Sequence, residues 1–225
     1  MGDRFIIWKP KDIIGGDLFW LHRDGDDFLL AVADCTGHGV PGAVMTMVAI
    51  MALNRLVHEY GPKDPALLLQ QLNRTVQHTL NQDAPEARTD DGLDIALCRV
   101  EPDRGRILFA GARLGLYLAA NGMVTEIHGD RQSLGYRNSD PDFSYSLQEI
   151  ALRPDMAVYL ATDGLWGQAG GDKGLPFGKS RFKAVLATNH SRPFGEQRKA
   201  LLAALAQYKG EQEQRDDITV LGFRL

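Results

Sequence analysis

The chain is poor in the residue types that build cross-links and zinc sites. Its 225 residues include two cysteines, Cys35 and Cys98, and six histidines scattered singly, with no Cys or His pair at metal-ligand spacing. A disulfide framework and a tetrahedral zinc centre are therefore not expected. Long apolar runs are also missing: the longest, 43–53, covers 11 residues and contains Thr46, short of the ~18 that suggest a membrane span. Positive charge is not in excess, because 25 Lys and Arg face 29 Asp and Glu for a net charge of −4. That balance argues against binding nucleic acid or an anionic membrane by bulk electrostatics. The first residues lack a signal-peptide pattern, and Ile6 stands where a myristoylation signal needs Ser or Thr. The expectation is a cytoplasmic chain that does not itself insert into a membrane. No internal repeat and no βαβ alternation is visible.

At 44% hydrophobic and 24% charged, the chain can bury a substantial core, and it reads as one domain over 1–225. An abrupt start in strand-forming residues is compatible with a domain cut from a larger sensor protein. Residues 18–22 and 28–33 read as strands joined by a tight turn centred between Gly25 and Asp26. That turn sets Asp17 opposite Asp34, with Cβ atoms roughly 5 Å apart. Two carboxylates ~4 Å apart repel by about 4 kcal/mol at an effective dielectric near 20, so a shared proton or a cation must relieve them.

A glycine-rich turn, 34–42, leads into an apolar helix over 41–60 whose apolar residues, including Val44, Met45, Met47, Val48 and Met51, cover nearly its whole circumference. It is expected to be buried between layers, with the methionines as core filler. Asp64 caps a second helix with Pro65 at its first position and a narrower apolar face, expected nearer solvent. Residues 83–92 read as a mobile loop. Strands follow at 95–100, 106–110, 116–119, 123–127, 156–162 and 218–223, with helices near 179–188 and 195–208. The order implies an α+β fold. If the strands before Asp163 and after Asp216 are antiparallel neighbours, both acids lie at one end of a sheet. Four converging carboxylates form an all-oxygen set that suits Mg²⁺ or Mn²⁺. Two such ions are how enzymes activate water for phosphoryl transfer.

Gly15-Gly16-Asp17, Asp34-Cys35-Thr36-Gly37-His38-Gly39, Asp163-Gly164-Leu165-Trp166 and Asp216-Asp217-Ile218-Thr219 resemble, in order, the motifs of metal-dependent protein serine/threonine phosphatases of type 2C, in the bacterial SpoIIE-like branch. The resemblance implies an α-β-β-α sandwich of two mostly antiparallel sheets, with two Mg²⁺ or Mn²⁺ ions at one edge. It also implies that Asp34 bridges both ions, that Asp17 and the Cys35 carbonyl complete one, and that Asp163 and Asp216 hold the other. Asp217 matches a position that is often Asn, and Asp216 ranks above it. His38 is a candidate general acid, with a structural role at the helix start as the alternative. Gly111-Ala112-Arg113 replaces the branch's usual Gly-His-Asn, and Arg113 is a candidate phosphate contact. The implied substrate is phosphoserine or phosphothreonine on a STAS-like antagonist protein, opposed by a dedicated kinase; a homodimer is left open. A weak or inactive phosphatase-like binding module is the competing reading, and a metal-dependent nuclease fits the acidic balance least. Two motifs are decoys: 174–180 is one residue short of a P-loop, and 131–135 lacks the first glycine of a hydrolase elbow.

Overall fold

The computed structural model describes residues 3–224. In chain order its elements are β1 (Arg4–Lys9), β2 (Asp17–Asp24), β3 (Asp27–Cys35), α1 (Gly39–Tyr60), α2 (Pro65–Thr79), β4 (Leu93–Glu101), β5 (Arg106–Ala112), β6 (Leu116–Ala120), β7 (Met123–Ile127), β8 (Gln148–Ala151), β9 (Ala157–Ala161), α3 (Gly164–Gly167), β10 (Ala169–Gly170), β11 (Leu175–Pro176), α4 (Lys179–Asn189), α5 (Phe194–Lys209) and β12 (Ile218–Phe223). One five-stranded sheet has the order β1-β12-β9-β6-β7 and a second β2-β3-β4-β5-β8, with β10 and β11 as a separate short pair. Each strand pairing in the two large sheets is antiparallel.

Period-two alternation sorts the strand side chains into layers. In β3, Leu29, Ala31 and Ala33 pack with α1 and α2. Phe28, Leu30 and Val32 instead meet Val158, Leu160 and Phe223 of the other sheet. In β9, Ala157, Tyr159 and Ala161 point the opposite way, toward Phe182 of α4 and Leu201 of α5. The result is helices, sheet, sheet, helices, the expected sandwich. Strands buried on both faces read as continuous apolar runs, as 28–33 and 156–162 do.

The two N-terminal helices reverse their expected depths. Val44, Met47 and Met51 are 54%, 62% and 69% exposed. The methionines at 47 and 51 are thus not core filler; only Met45 is buried, with Val48 partly so. Helix α1 packs along one side, through Ala49, Leu53, Leu56 and Val57, and no described element covers its other side. By length and composition α1 is long and apolar enough to cross a membrane, with a mean hydropathy of 1.6, although no single apolar run in it is long. Helix α2 lies deeper: Leu68, Leu69, Leu72 and Val76 are 0–1% exposed. Its expected cap holds, the Asp64 carboxylate accepting from the amides of Ala66 at 2.9 Å and Leu67 at 3.1 Å.

At the turn end of the second sheet a buried ion network ties two hairpins together. Arg99 donates to Asp24 at 3.0 Å, Asp27 at 2.6 Å and Glu101 at 2.9 Å. Glu101 also accepts from Arg106 at 2.6 Å. Burial pushes the Glu101 carboxyl up, but the hydrogen bonds from Arg106 and Arg99 outweigh it and hold the group down at about 2. A carboxyl lowered on folding stabilises above its ordinary value of 4.5, and that stability is lost as pH falls toward 2. Glu101→Gln is expected to lower stability by about 2 kcal/mol at pH 7 and by clearly less at pH 3. Urea denaturation at both pH values checks this, and an equal difference at the two would contradict it.

Candidate active site

Register brings the acids of the second sheet into one row. Asp17 of β2 pairs with Asp34 of β3, and Asp34 pairs in turn with Asp94 of β4. The hairpin reading located the first pair. Asp94 stands just before the strand expected at 95–100, and the loop ahead of it carries no register signal; once β4 is placed beside β3, this acid falls opposite Asp34. Thr36 holds this edge together. Its hydroxyl donates to the Gly92 carbonyl at 3.1 Å, accepts from the Gly92 amide at 2.9 Å and bonds the Tyr136 hydroxyl at 2.9 Å.

The first sheet supplies the other wall. Strands β9 and β12 are antiparallel neighbours, so Asp163, just after β9, and Asp216, just before β12, lie at one end. Asp163 is within hydrogen-bonding reach of Asp34. Asp34, Asp94, Asp216, His38 and Cys35 line one cleft of about 220 Å³. Asp17 lies deeper, 3% exposed, accepting from the Thr162 hydroxyl at 2.7 Å.

Adjacent acids play different parts. The Asp217 carboxylate accepts from the backbone amides of Lys11 at 2.7 Å, Gly16 at 2.5 Å and Asp17 at 3.4 Å. It is committed to holding the β1–β2 connection, whereas Asp216 is exposed and lines the cleft. The glycines beside these acids permit close backbone approach. A Cβ on Gly16 would lie 2.7 Å from the Cys35 carbonyl oxygen, and one on Gly164 would overlap the Asp217 carbonyl. His38 precedes α1 without a side-chain cap. Its Nδ1 lies 2.8 Å from Asp12 and its Nε2 3.2 Å from Lys11. The Lys11 ammonium can only donate, which assigns the ring proton to Nδ1 and gives it to Asp12. The Cys35 side chain packs in the helical core, where burial pushes its thiol up and leaves it no nucleophile.

Burial and crowding raise the acids together. Burial, followed by the charges of Asp17, Asp163, Asp216 and Asp94, pushes Asp34 up to about 9. Burial likewise raises Asp17 to about 7, and it raises Asp94 and Asp163. Asp94 also keeps a buried oxygen, Oδ1, without a hydrogen-bond partner. Among the described residues, no three His, Cys, Asp or Glu side chains already stand around a common point as metal ligands. The donor chemistry nonetheless suits hard cations: oxygens throughout, several of them crowded, and one unsatisfied.

A family model described as Stage II sporulation protein E (SpoIIE) matches residues 24–225. The SiaA-PP2C domain of Pseudomonas aeruginosa is 39% identical, with a TM-score of 0.89 over 99% of this chain and 85% of that one. The PP2C phosphatase domain, with a fragment of the regulatory domain, of SpoIIE from Bacillus subtilis is 14% identical, with a TM-score of 0.77 over 100% of this chain and 63% of that one. The RsbU and RsbW domains of Rv1364c from Mycobacterium tuberculosis give 19% and 0.75 over 99% and 60%. The last two likenesses bear on fold alone. No curated protein sequence matches significantly.

Asp217→Ala leaves three amides without their charged acceptor, and it is expected to cost about 2 kcal/mol or more. Urea denaturation reads the loss; a cost below about 0.5 kcal/mol would contradict the anchoring role.

Proposed function

The chain belongs to the SpoIIE family and is a protein serine/threonine phosphatase of the PP2C type; from that premise we propose that it removes phosphate from phosphoserine or phosphothreonine with two Mg²⁺ or Mn²⁺ ions held in the acidic cleft. The observation that carries the reading is the shared placement of Asp34, Asp94 and Asp216 on one cleft, with Asp17 and Asp163 beside Asp34. Asp17, Asp34, the Cys35 carbonyl, Asp163 and Asp216 would hold the ions, Asp34 serving both, Asp17 and the Cys35 carbonyl one, and Asp163 with Asp216 the other. Residues 1–225 act as one phosphatase domain.

Bound there, the two ions would activate a water and clamp the phosphoryl group for in-line attack. The protein's own groups do the remaining work. Thr162 keeps the Asp17 carboxylate in place, and Asp217 fixes the backbone that carries it. As general acid in this reading, His38 would have to gain a proton on Nε2, the atom that accepts from Lys11, while Asp12 holds Nδ1. The substrate in this reading is a STAS-like regulatory protein in the cytoplasm, rephosphorylated by an opposing kinase. Support comes from the family and from structural neighbours described by their RsbU and RsbW domains and by the bacterial stressosome.

The test is turnover of an aryl phosphate with Mn²⁺, with and without chelator. Asp34→Asn is expected to lower kcat/KM by roughly 10³-fold, equivalent to about 4 kcal/mol; wild-type turnover in that variant would remove the bridging role. Stable binding of a phosphorylated partner without phosphate release would favour the binding-module reading.

A further inference from the structure

The acidic row ends in a positive charge. Strand β5 follows β4 in the sheet, and the ladder pair Ile95–Ala112 sets Arg113 beside Asp94, close enough for their charges to interact. Arg113 lies two strands from Asp34, about 10 Å at ~4.8 Å per strand. Its φ is 63°, and the other two non-glycine residues with positive φ among those described are asparagines, Asn81 and Asn121. Asn tolerates the left-handed region; a long side chain without a local hydrogen bond does not gain by it, and such strain gathers at functional sites.

The strain has a visible cause. The Arg113 amide donates to the Asp130 carbonyl at 2.7 Å, the Asp130 amide to the Gly111 carbonyl at 2.8 Å, and the Leu114 amide to the Ala112 carbonyl at 2.7 Å. These bonds clamp residue 130 against the end of β5 and so bring Arg131 to the same cleft as Arg113. That cleft, about 410 Å³, is also lined by Ser133, Tyr136 and Asn138. Among the described residues neither guanidinium has a hydrogen bond or an ion pair within 4 Å, and both residues are exposed. The acid on the rim, Asp90, is engaged by the Arg137 amide at 2.9 Å.

Three clefts adjoin on this face. The arginine cleft shares Tyr136 with the acidic cleft, and it shares Asp90, Asn138 and Ser139 with a larger one of about 620 Å³ running toward Gln77 and Gln82. Adjoining clefts of this combined extent exceed the needs of a phosphoryl group and suit an extended peptide. Asp94 stands between Arg113 and Asp34, so a phosphoryl group seated at Asp34 would have a carboxylate between itself and the guanidinium.

From this geometry we infer that Arg113 and Arg131 form a specificity site for a carboxylate side chain of the substrate, within about three residues of its phosphoserine at ~3.3 Å per extended residue. The inference rests on the phosphatase reading and names a substrate class for it: phosphorylated segments with acidic flanks. Arginine suits that task because its planar fork meets a carboxylate with two parallel hydrogen bonds.

The experiment compares two phosphoserine peptides, one with Glu and one with Gln at the second and third positions on each side. Wild-type protein with Mn²⁺ is expected to favour the Glu peptide about tenfold in kcat/KM. Arg113→Gly, which also relieves the positive φ, is expected to keep the thermal midpoint and abolish the preference; Arg131→Ala is expected to weaken it. No preference in the wild type, or a preference retained in Arg113→Gly, would overturn the inference. Equal losses on both peptides would also overturn it by assigning Arg113 to the phosphoryl group. Aryl phosphate turnover by the wild type, measured alongside, tests the metal site separately: if it is present while the peptide preference is absent, the arginine site alone is refuted.

Discussion

Mutual repulsion among carboxylates is the constraint around which this end of the molecule is built. Antiparallel register sets Asp17, Asp34 and Asp94 side by side on adjacent strands of the second sheet, and the end of the first sheet adds Asp163 and Asp216. Neighbouring strands are ~4.8 Å apart, so the row cannot relax without breaking the ladder. The charges must instead be neutralised by protons or cations. Raised carboxyls at Asp17 and Asp34 are the proton-bound answer; two dications are the answer that can do chemistry.

The rest of the fold keeps that row from escaping. Alternating side chains commit each strand to two apolar layers, so a one-residue slip would turn core residues such as Leu29 and Leu30 toward the wrong layer. Arg99 pins the turns at the far end of the same strands. Asp217 crosses from the first sheet to hold the backbone amides of Gly16 and Asp17. The two sheets, which share an apolar core through residues such as Leu30 and Leu160, are thus also tied by a carboxylate at the end where their acids face each other.

Much of this was legible in the sequence because it depends on local signals. The Gly25-Asp26 turn determines which residues oppose each other, and so identified Asp17 and Asp34. Asp64 and Pro65 announced the start of α2. The acids at 163 and 216 stood where apolar strands end and begin. What could not be read depends on long-range packing. Asp94 joins the row only when β4 is known to lie beside β3. The exposed methionines of α1 were unreadable because an apolar circumference has no direction, and only the packing shows which side is covered. The division of labour between Asp216 and Asp217 rests on amides some 200 residues away in the chain.

In the proposed function this row holds two cations with Asp34 shared between them. Diffraction from crystals grown with Mn²⁺, recorded at the manganese absorption edge, tests it most directly. Two anomalous peaks ~3.5–4 Å apart are expected, both within coordination distance of Asp34, with Asp17 on one and Asp163 and Asp216 on the other. An empty cleft at saturating Mn²⁺, or manganese bound without Asp34, would contradict it.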